Sequence, residues 1–192
     1  MSSFPDSVYA PRAKENRSGV VYDPDKKSVG FVEDITKLDD EVVALENSIG
    51  IEPHSRARGY RNTSVQSINN EEVTKVGLNA ESYDELGEFD PVTNFRFTAT
   101  NAGYYIVSAK VRWSSTVATK SFWIQIRKNG SDISNAIMVA PSTTPETVGC
   151  SDIVYLAAGQ YLELYVYQDS GGARNIEFGS GETFLAVHKL SP

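Results

Sequence analysis

The sequence predicts an all-β sandwich or barrel, on three observations. A long alternation opens at Gly103 and puts Tyr105, Val107, Ala109, Val111 and Trp113 on one face of a strand. Short apolar stretches recur after it and before it, separated by turn signals such as Asn129-Gly130 and Ala158-Gly159. No helical period survives in this part of the chain. Many short strands with regular breaks and no helical pattern build a sandwich or a barrel, because each strand must bury one face against a second layer.

The elements follow in chain order. Residues 1–30 read as an extended arm, interrupted by Pro5, Pro11 and Pro24 and loosened by Gly19 and Gly30. Arg12, Lys14 and Arg17 give the arm local positive charge, and Val20 and Tyr22 are in its one short apolar stretch. A disordered tail and an anchor ordered by a partner both fit such a segment.

Residues 31–50 predict a helix and a coiled-coil neck. Ile35, Val42 and Ile49 fall at heptad position a, with Phe31, Leu38 and Leu45 at d. Glu33 and Asp34 suit a helix N-terminus, and Gly50 sits where a C-terminal cap belongs. An amphipathic helix packed on its own domain is the plainer alternative, but the unbroken 3.5-residue seam favours association. β-branched residues at a with Leu at d prefer two strands, yet a seam this short does not dictate stoichiometry against the head it carries.

A linker at 51–55 leads into a β head at 56–192. Expected strands are Ala57–Asn62, Val73–Leu78, Asn94–Thr98, Gly103–Ser114, Ser121–Lys128, Asn135–Ala140, Ser151–Ala157, Tyr161–Gln168, Asn175–Gly179 and Thr183–Leu190. Two of them carry a second apolar face. Leu162, Leu164 and Val166 make one face of Tyr161–Gln168, while Tyr161, Tyr165 and Tyr167 line the other with Glu163. Phe122, Ile124 and Ile126 are set against Trp123 in the same way. Rows of Tyr and Trp are enriched at interfaces. A subunit contact is expected at Trp123, Tyr161, Tyr165 and Tyr167, with an aromatic platform for a sugar as the alternative.

Composition excludes several classes. A formal charge of −7 argues against nucleic-acid binding, which needs concentrated positive charge. A single cysteine, Cys150, rules out an intrachain disulfide and is expected to be a buried small residue. No stretch is long and apolar enough to span a bilayer, and the N-terminus lacks a secretory signal, so synthesis in a cytoplasm is expected.

The spacing Phe97-x5-Gly103-x-Tyr105 resembles the signature of the C1q/tumour-necrosis-factor-like jelly roll. The resemblance covers roughly residues 56–190, through 57–61, Phe89, Phe97, 103–105, 151–159 and the closing stretch 183–190. Val107 and Ala109 replace the aromatics that continue the family pattern, and Phe89 to Phe97 is one residue longer than usual. Those departures resemble microbial and viral members more than animal ones. The arm and neck, 16–24 through 45–50, are similar to leader segments of tailed-phage fibre and structural proteins.

The resemblances imply a non-enzymatic homotrimer located on a virion. Its arm would attach to capsid or tail structural proteins, and its head would face outward as a capsid decoration, head fibre or tail-fibre head. A host-surface glycan is the partner expected for such a head. The alternative is an exported bacterial adhesion module of the same fold.

Chemistry is sparse. His54 lies in the linker and His188 in the closing strand, and neither belongs to a readable nucleophile–base arrangement. Residues 23–34 imitate a calcium loop, but Lys27 and Ser28 occupy positions that need an oxygen ligand and a glycine. The acidic run Glu81, Asp84, Glu85, Glu88 and Asp90 could hold calcium, as some C1q-like heads do, but a solvated acidic loop is expected. No cofactor is expected. The stretch from Gly171 to Gly181 lacks a phosphate-binding Lys and reads as a flexible surface loop.

Overall fold

The computed structural model describes residues 37–43 and 54–190. The chain divides into two compact units, Met1–Ile49 and Gly50–Pro192. In the first, residues 37–43 are helical, with Leu38 60% and Val42 46% exposed. The other seam positions, Phe31, Ile35, Leu45 and Ile49, lie outside the described residues, as does the arm with Arg12, Lys14, Arg17, Val20 and Tyr22.

The second unit is a sandwich of two antiparallel sheets. Its strands are β1 (Arg56–Tyr60), β2 (Gln66–Ile68), β3 (Thr74–Lys75), β4 (Ala80–Asp84), β5 (Phe89–Asp90), β6 (Arg96–Thr98), β7 (Gly103–Trp113), β8 (Ser121–Lys128), β9 (Ser131–Val139), β10 (Glu146–Leu156), β11 (Tyr161–Gln168), β12 (Arg174–Ile176) and β13 (Phe184–Lys189). The first sheet runs β2-β12-β7-β13-β1-β4, with β10 also paired to β7. The second runs β5-β6-β11-β8-β9, with β3 paired to β11.

The alternation read in the sequence sets the core. Tyr105, Val107, Ala109, Val111 and Trp113 of β7 all point inward and are buried. They meet Phe122, Ile124 and Ile126 of β8 and Leu162, Leu164 and Val166 of β11 from the facing sheet. Trp113 packs edge-on against Phe122 with ring centroids 4.9 Å apart, joining the two layers. Between β8 and β9 the Asn129-Gly130 turn takes positive φ at both residues (49° and 83°), the two-residue hairpin geometry its sequence predicts.

Three strands went unpredicted, β2, β4 and β5, and each ends a sheet. An edge strand buries little, so it needs no apolar alternation; β4, Ala-Glu-Ser-Tyr-Asp, has none. β10 starts five residues before the expected Ser151, because its polar first half pairs through backbone with β7 as far as Glu146 opposite Trp113.

The acidic run is not a solvated loop. Glu81 and Asp84 belong to β4, which pairs with β1. Asp84 accepts the backbone N–H groups of Glu88 and Phe89. Asp90 closes the turn after β5 by accepting from Val92, Thr93 and Asn94. Glu88 is buried, with one oxygen taking the N–H and hydroxyl of Thr100 and the other the hydroxyl of Ser55. The carboxylates of Asp84, Glu88 and Asp90 are engaged by their own chain, and among the described residues no group of three or more His, Cys, Asp or Glu is arranged to hold a metal.

Smaller corrections follow from the packing. Ser55, expected in a linker, is buried beside Glu88 and Tyr105. Cys150 is half-buried against the core rather than enclosed, since β10 lies along an edge. The stretch after Gly171 contains β12 and is tied down: Gly171 N–H donates to Asn70 at 2.6 Å and Gln168 holds the Gly172 carbonyl at 2.9 Å.

Candidate interaction surfaces

The outer faces of the two sheets differ. On the outside of β7, Tyr104, Ile106, Ser108, Lys110 and Arg112 alternate with the core residues. β10 lies alongside in register, with Tyr155 opposite Tyr104, Ile153 opposite Ile106 and Ser151 opposite Ser108. On the other flank β13 brings His188 opposite Ile106, and the Leu190 N–H donates to the Tyr104 carbonyl at 2.8 Å.

Tyr104, Ile106, Ile153, Tyr155 and Leu190 therefore form one apolar cluster at one end of the first sheet. All five are between 43% and 58% exposed. Tyr104 and Tyr155 hold each other edge-on at 5.4 Å, which fixes the cluster as a shaped surface. Five large apolar side chains gathered in this way form a contiguous exposed patch, whereas scattered ones are ordinary on a protein surface. The sequence shows the alternation of β7, but the contribution of β10 becomes visible only once register is known.

The opposite end of the same face is cationic. Arg58 lies 4.1 Å over the Phe184 ring and Lys110 5.9 Å from it, while Arg112 pairs with Glu182 at 3.1 Å. Ser82 accepts from Arg58 at 2.8 Å, and the Ser180 carbonyl accepts from it as well.

The four aromatic residues singled out in the sequence share the outer face of the second sheet. Trp123 packs on Tyr167 at 4.9 Å, joined by the register that sets them opposite each other. Tyr161 lies under the Arg96 guanidinium at 4.1 Å and Tyr165 under that of Arg127 at 4.3 Å. Lys75 neutralises Glu163 between them, and Asp132 accepts from Arg127 at 2.6 Å. All four aromatics are consequently half-buried in their own chain. Burial pushes the Tyr165 hydroxyl above its ordinary value. Exposed apolar surface on this sheet is displaced to its edge, where Ile137 (55%) lies opposite Trp123 and Val139 (62%) opposite Ser121. Sequence reasoning passed over these two because β9 alternates weakly.

The histidines, far apart in sequence, meet here. Their rings stack 6.4 Å apart at an interplanar angle of 22°, and the backbone N–H of His54 donates to the Glu85 carboxylate at 3.0 Å. A shallow depression between Gly87, Phe89, Thr98 and Gly159 includes Glu88, whose oxygens are turned to Ser55 and Thr100. Among the described residues no helix is long and apolar enough to cross a membrane.

No protein-family model matches the sequence, and no curated protein matches it either. The fold is similar to solved structures. Eiger TNF from S. frugiperda aligns with a TM-score of 0.56 at 14% identity, over 73% of this chain and 94% of that one. Murine APRIL, in a crystal structure at pH 5.0, aligns with a TM-score of 0.55 at 15% identity, over 71% and 99%. The globular domain of zebrafish complement 1qA protein aligns with a TM-score of 0.52 at 12% identity, over 72% and 98%. The β unit of this chain has the jelly-roll fold of these TNF and C1q domains.

Proposed function

We propose that this chain is a homotrimeric, non-enzymatic recognition protein of a phage virion. In this reading residues 1–30 anchor it to capsid or tail structural proteins, a neck over 31–50 projects it, and the jelly-roll head faces outward. The observation that carries the trimer is the presence of two unlike exposed apolar surfaces on one head. One is the Tyr104–Ile106–Ile153–Tyr155–Leu190 cluster, and the other is the Ile137–Val139 edge backed by Trp123 and Tyr167. Unlike surfaces that cover each other make head-to-tail contacts, which close into a ring where the rotation between copies permits. The exposed Leu38 and Val42 add a second demand for association in the neck.

The virion assignment rests on the sequence of the arm and neck and on the resemblance they bear to phage leader segments. A basic arm without a core-forming pattern needs a partner that supplies a groove and acidic side chains. The cationic end of the first sheet is the surface left for a host-surface glycan.

Two experiments test the reading. Replacing Ile106 and Ile153 together with Asp should weaken self-association by at least tenfold, read as concentration-dependent mass, with unchanged circular dichroism because both positions are exposed. Deleting residues 1–30 should leave the head folded and associated but unable to join virions that lack the native copy. Normal incorporation of the truncated chain would place the anchor elsewhere.

A further inference from the structure

We infer that Arg58 and Lys110 together bind the oxyanion of an acidic glycan, a carboxylate, sulfate or phosphate substituent, on the outer face of the first sheet. This inference rests on the glycan reading above and names the sugar chemistry. Both cations are gathered at one aromatic ring. The Arg58 guanidinium lies 4.1 Å and the Lys110 ammonium 5.9 Å from the centre of Phe184. Register brings them there, because β13 runs between β1 and β7. Phe184 is opposite both Tyr60 and Lys110, and Ala186 is opposite both Arg58 and Ser108. Contact with the ring face holds the two charges in place without neutralising either.

Other cations of the head are matched. Arg56 pairs with Glu85, Lys75 with Glu163, Arg112 with Glu182 and Arg127 with Asp132. Among the described residues neither Arg58 nor Lys110 forms such a pair. The strands beside them add no acid, since Lys110 is flanked by Phe184 and Gly149, and Arg58 by Ala186 and Tyr83. Glu182, two residues before Phe184, is held by Arg112 at 3.1 Å. Arg58 gives two of its five N–H donors to the Ser82 hydroxyl and the Ser180 carbonyl, and the rest point to no acceptor of this chain. Lys110 adds three more. In a chain of formal charge −7, this uncompensated pair is a local exception.

The ground beside the pair suits a sugar. Ser108 is opposite Ser151 on one side and Ala186 on the other, and Gly149 is next along β10. Ser108, Gly149 and Ser151 are exposed. Small side chains leave room above the sheet for a ring, and two hydroxyls in register offer donors and acceptors to its hydroxyl groups. Charge-assisted hydrogen bonds from Arg58 and Lys110 to the oxyanion supply most of the affinity, and salt weakens them.

The test is calorimetric titration of the intact chain with trigalacturonic acid, neutral maltotriose and sodium sulfate, at about 0.02 M and about 0.15 M salt. Lys110→Gln removes one cation that bonds to no oxygen of the chain, so it keeps the fold. Lys120→Gln removes an exposed lysine away from the site as a control. The expected result is that the acidic trisaccharide binds at least tenfold tighter than the neutral one and weakens at the higher salt. Lys110→Gln should lose at least fivefold, and Lys120→Gln should bind like the wild type. Lys110→Gln as tight as the wild type, or an equal loss in Lys120→Gln, overturns the site. Equal binding of both sugars keeps the glycan reading and overturns the oxyanion requirement. Sulfate binding that Lys110→Gln abolishes, with neither sugar bound, keeps the oxyanion site and overturns the glycan reading. No binding of sulfate or of the acidic sugar overturns the site outright.

Discussion

Glu88 accepts a 2.6 Å hydrogen bond from Ser55 inside the head, and that bond fastens the point where the chain enters the sandwich. Ser55 also meets the Tyr105 hydroxyl at 2.9 Å, and the other Glu88 oxygen takes the N–H and hydroxyl of Thr100 at 2.7 and 2.6 Å. One carboxylate thus ties the entry segment, the turn before β7 and a core tyrosine together. Removing it in Glu88→Ala leaves buried donors unpaired and should cost roughly 2–3 kcal/mol in urea unfolding. Glu88→Gln, which still offers an acceptor oxygen, should lose less.

Gly59 of β1 faces the Phe89 ring so closely that a Cβ there would lie 2.0 Å from its Cζ. Gly59→Ala should therefore destabilise the head by roughly 1–3 kcal/mol, the cost of overpacking. The penalty should shrink when Phe89 is Leu, because the colliding ring is gone. A double-mutant cycle on thermal unfolding measures that coupling. Equal penalties in both backgrounds would refute the steric explanation.

The Thr93 and Val92 backbone N–H groups hold the Asp90 carboxyl down to about 2 from an ordinary 3.8. A lowered folded value favours the charged form, so its stabilising effect is complete above about pH 4 and disappears as pH falls through about 2. Carboxyl-carbon NMR should show Asp90 titrating last among the aspartates. Asp90→Asn should flatten the acid limb of the stability curve between those two values.

Burial, with a smaller contribution from the Asp152 charge, pushes the Cys150 thiol up to about 11. Only the thiolate attacks disulfide reagents, so the native protein should react at neutral pH at least tenfold slower than the urea-unfolded chain. A native rate matching the unfolded one would show the thiol to be open to solvent.

What the sequence showed of the head depended on burial. β7, β8 and β11 were legible because each lines the core, and alternation is the imprint of having one covered face. β4 left no imprint, since only β1 pairs with it and its side chains lie largely in solvent. Charge alone made residues 81–90 look like a solvated loop, because Glu88 is inside through partners at Ser55 and Thr100 that pattern reading cannot see.

The surfaces were legible in part. Trp123, Tyr161, Tyr165 and Tyr167 do share a face, but the cations that cover two of them come from β6 and from Arg127. The more exposed cluster combines β7 with β10 and the chain end at Leu190, and register alone brings those residues together. His54 and His188 meet for the same reason.

The proposed trimer joins unlike apolar surfaces of neighbouring heads into a ring of three. Light scattering of the intact chain during size-exclusion chromatography at neutral pH tests it most directly. A single species with three times the 21.1 kDa chain mass is expected. A stable species of 21.1 kDa at the same concentration would contradict it.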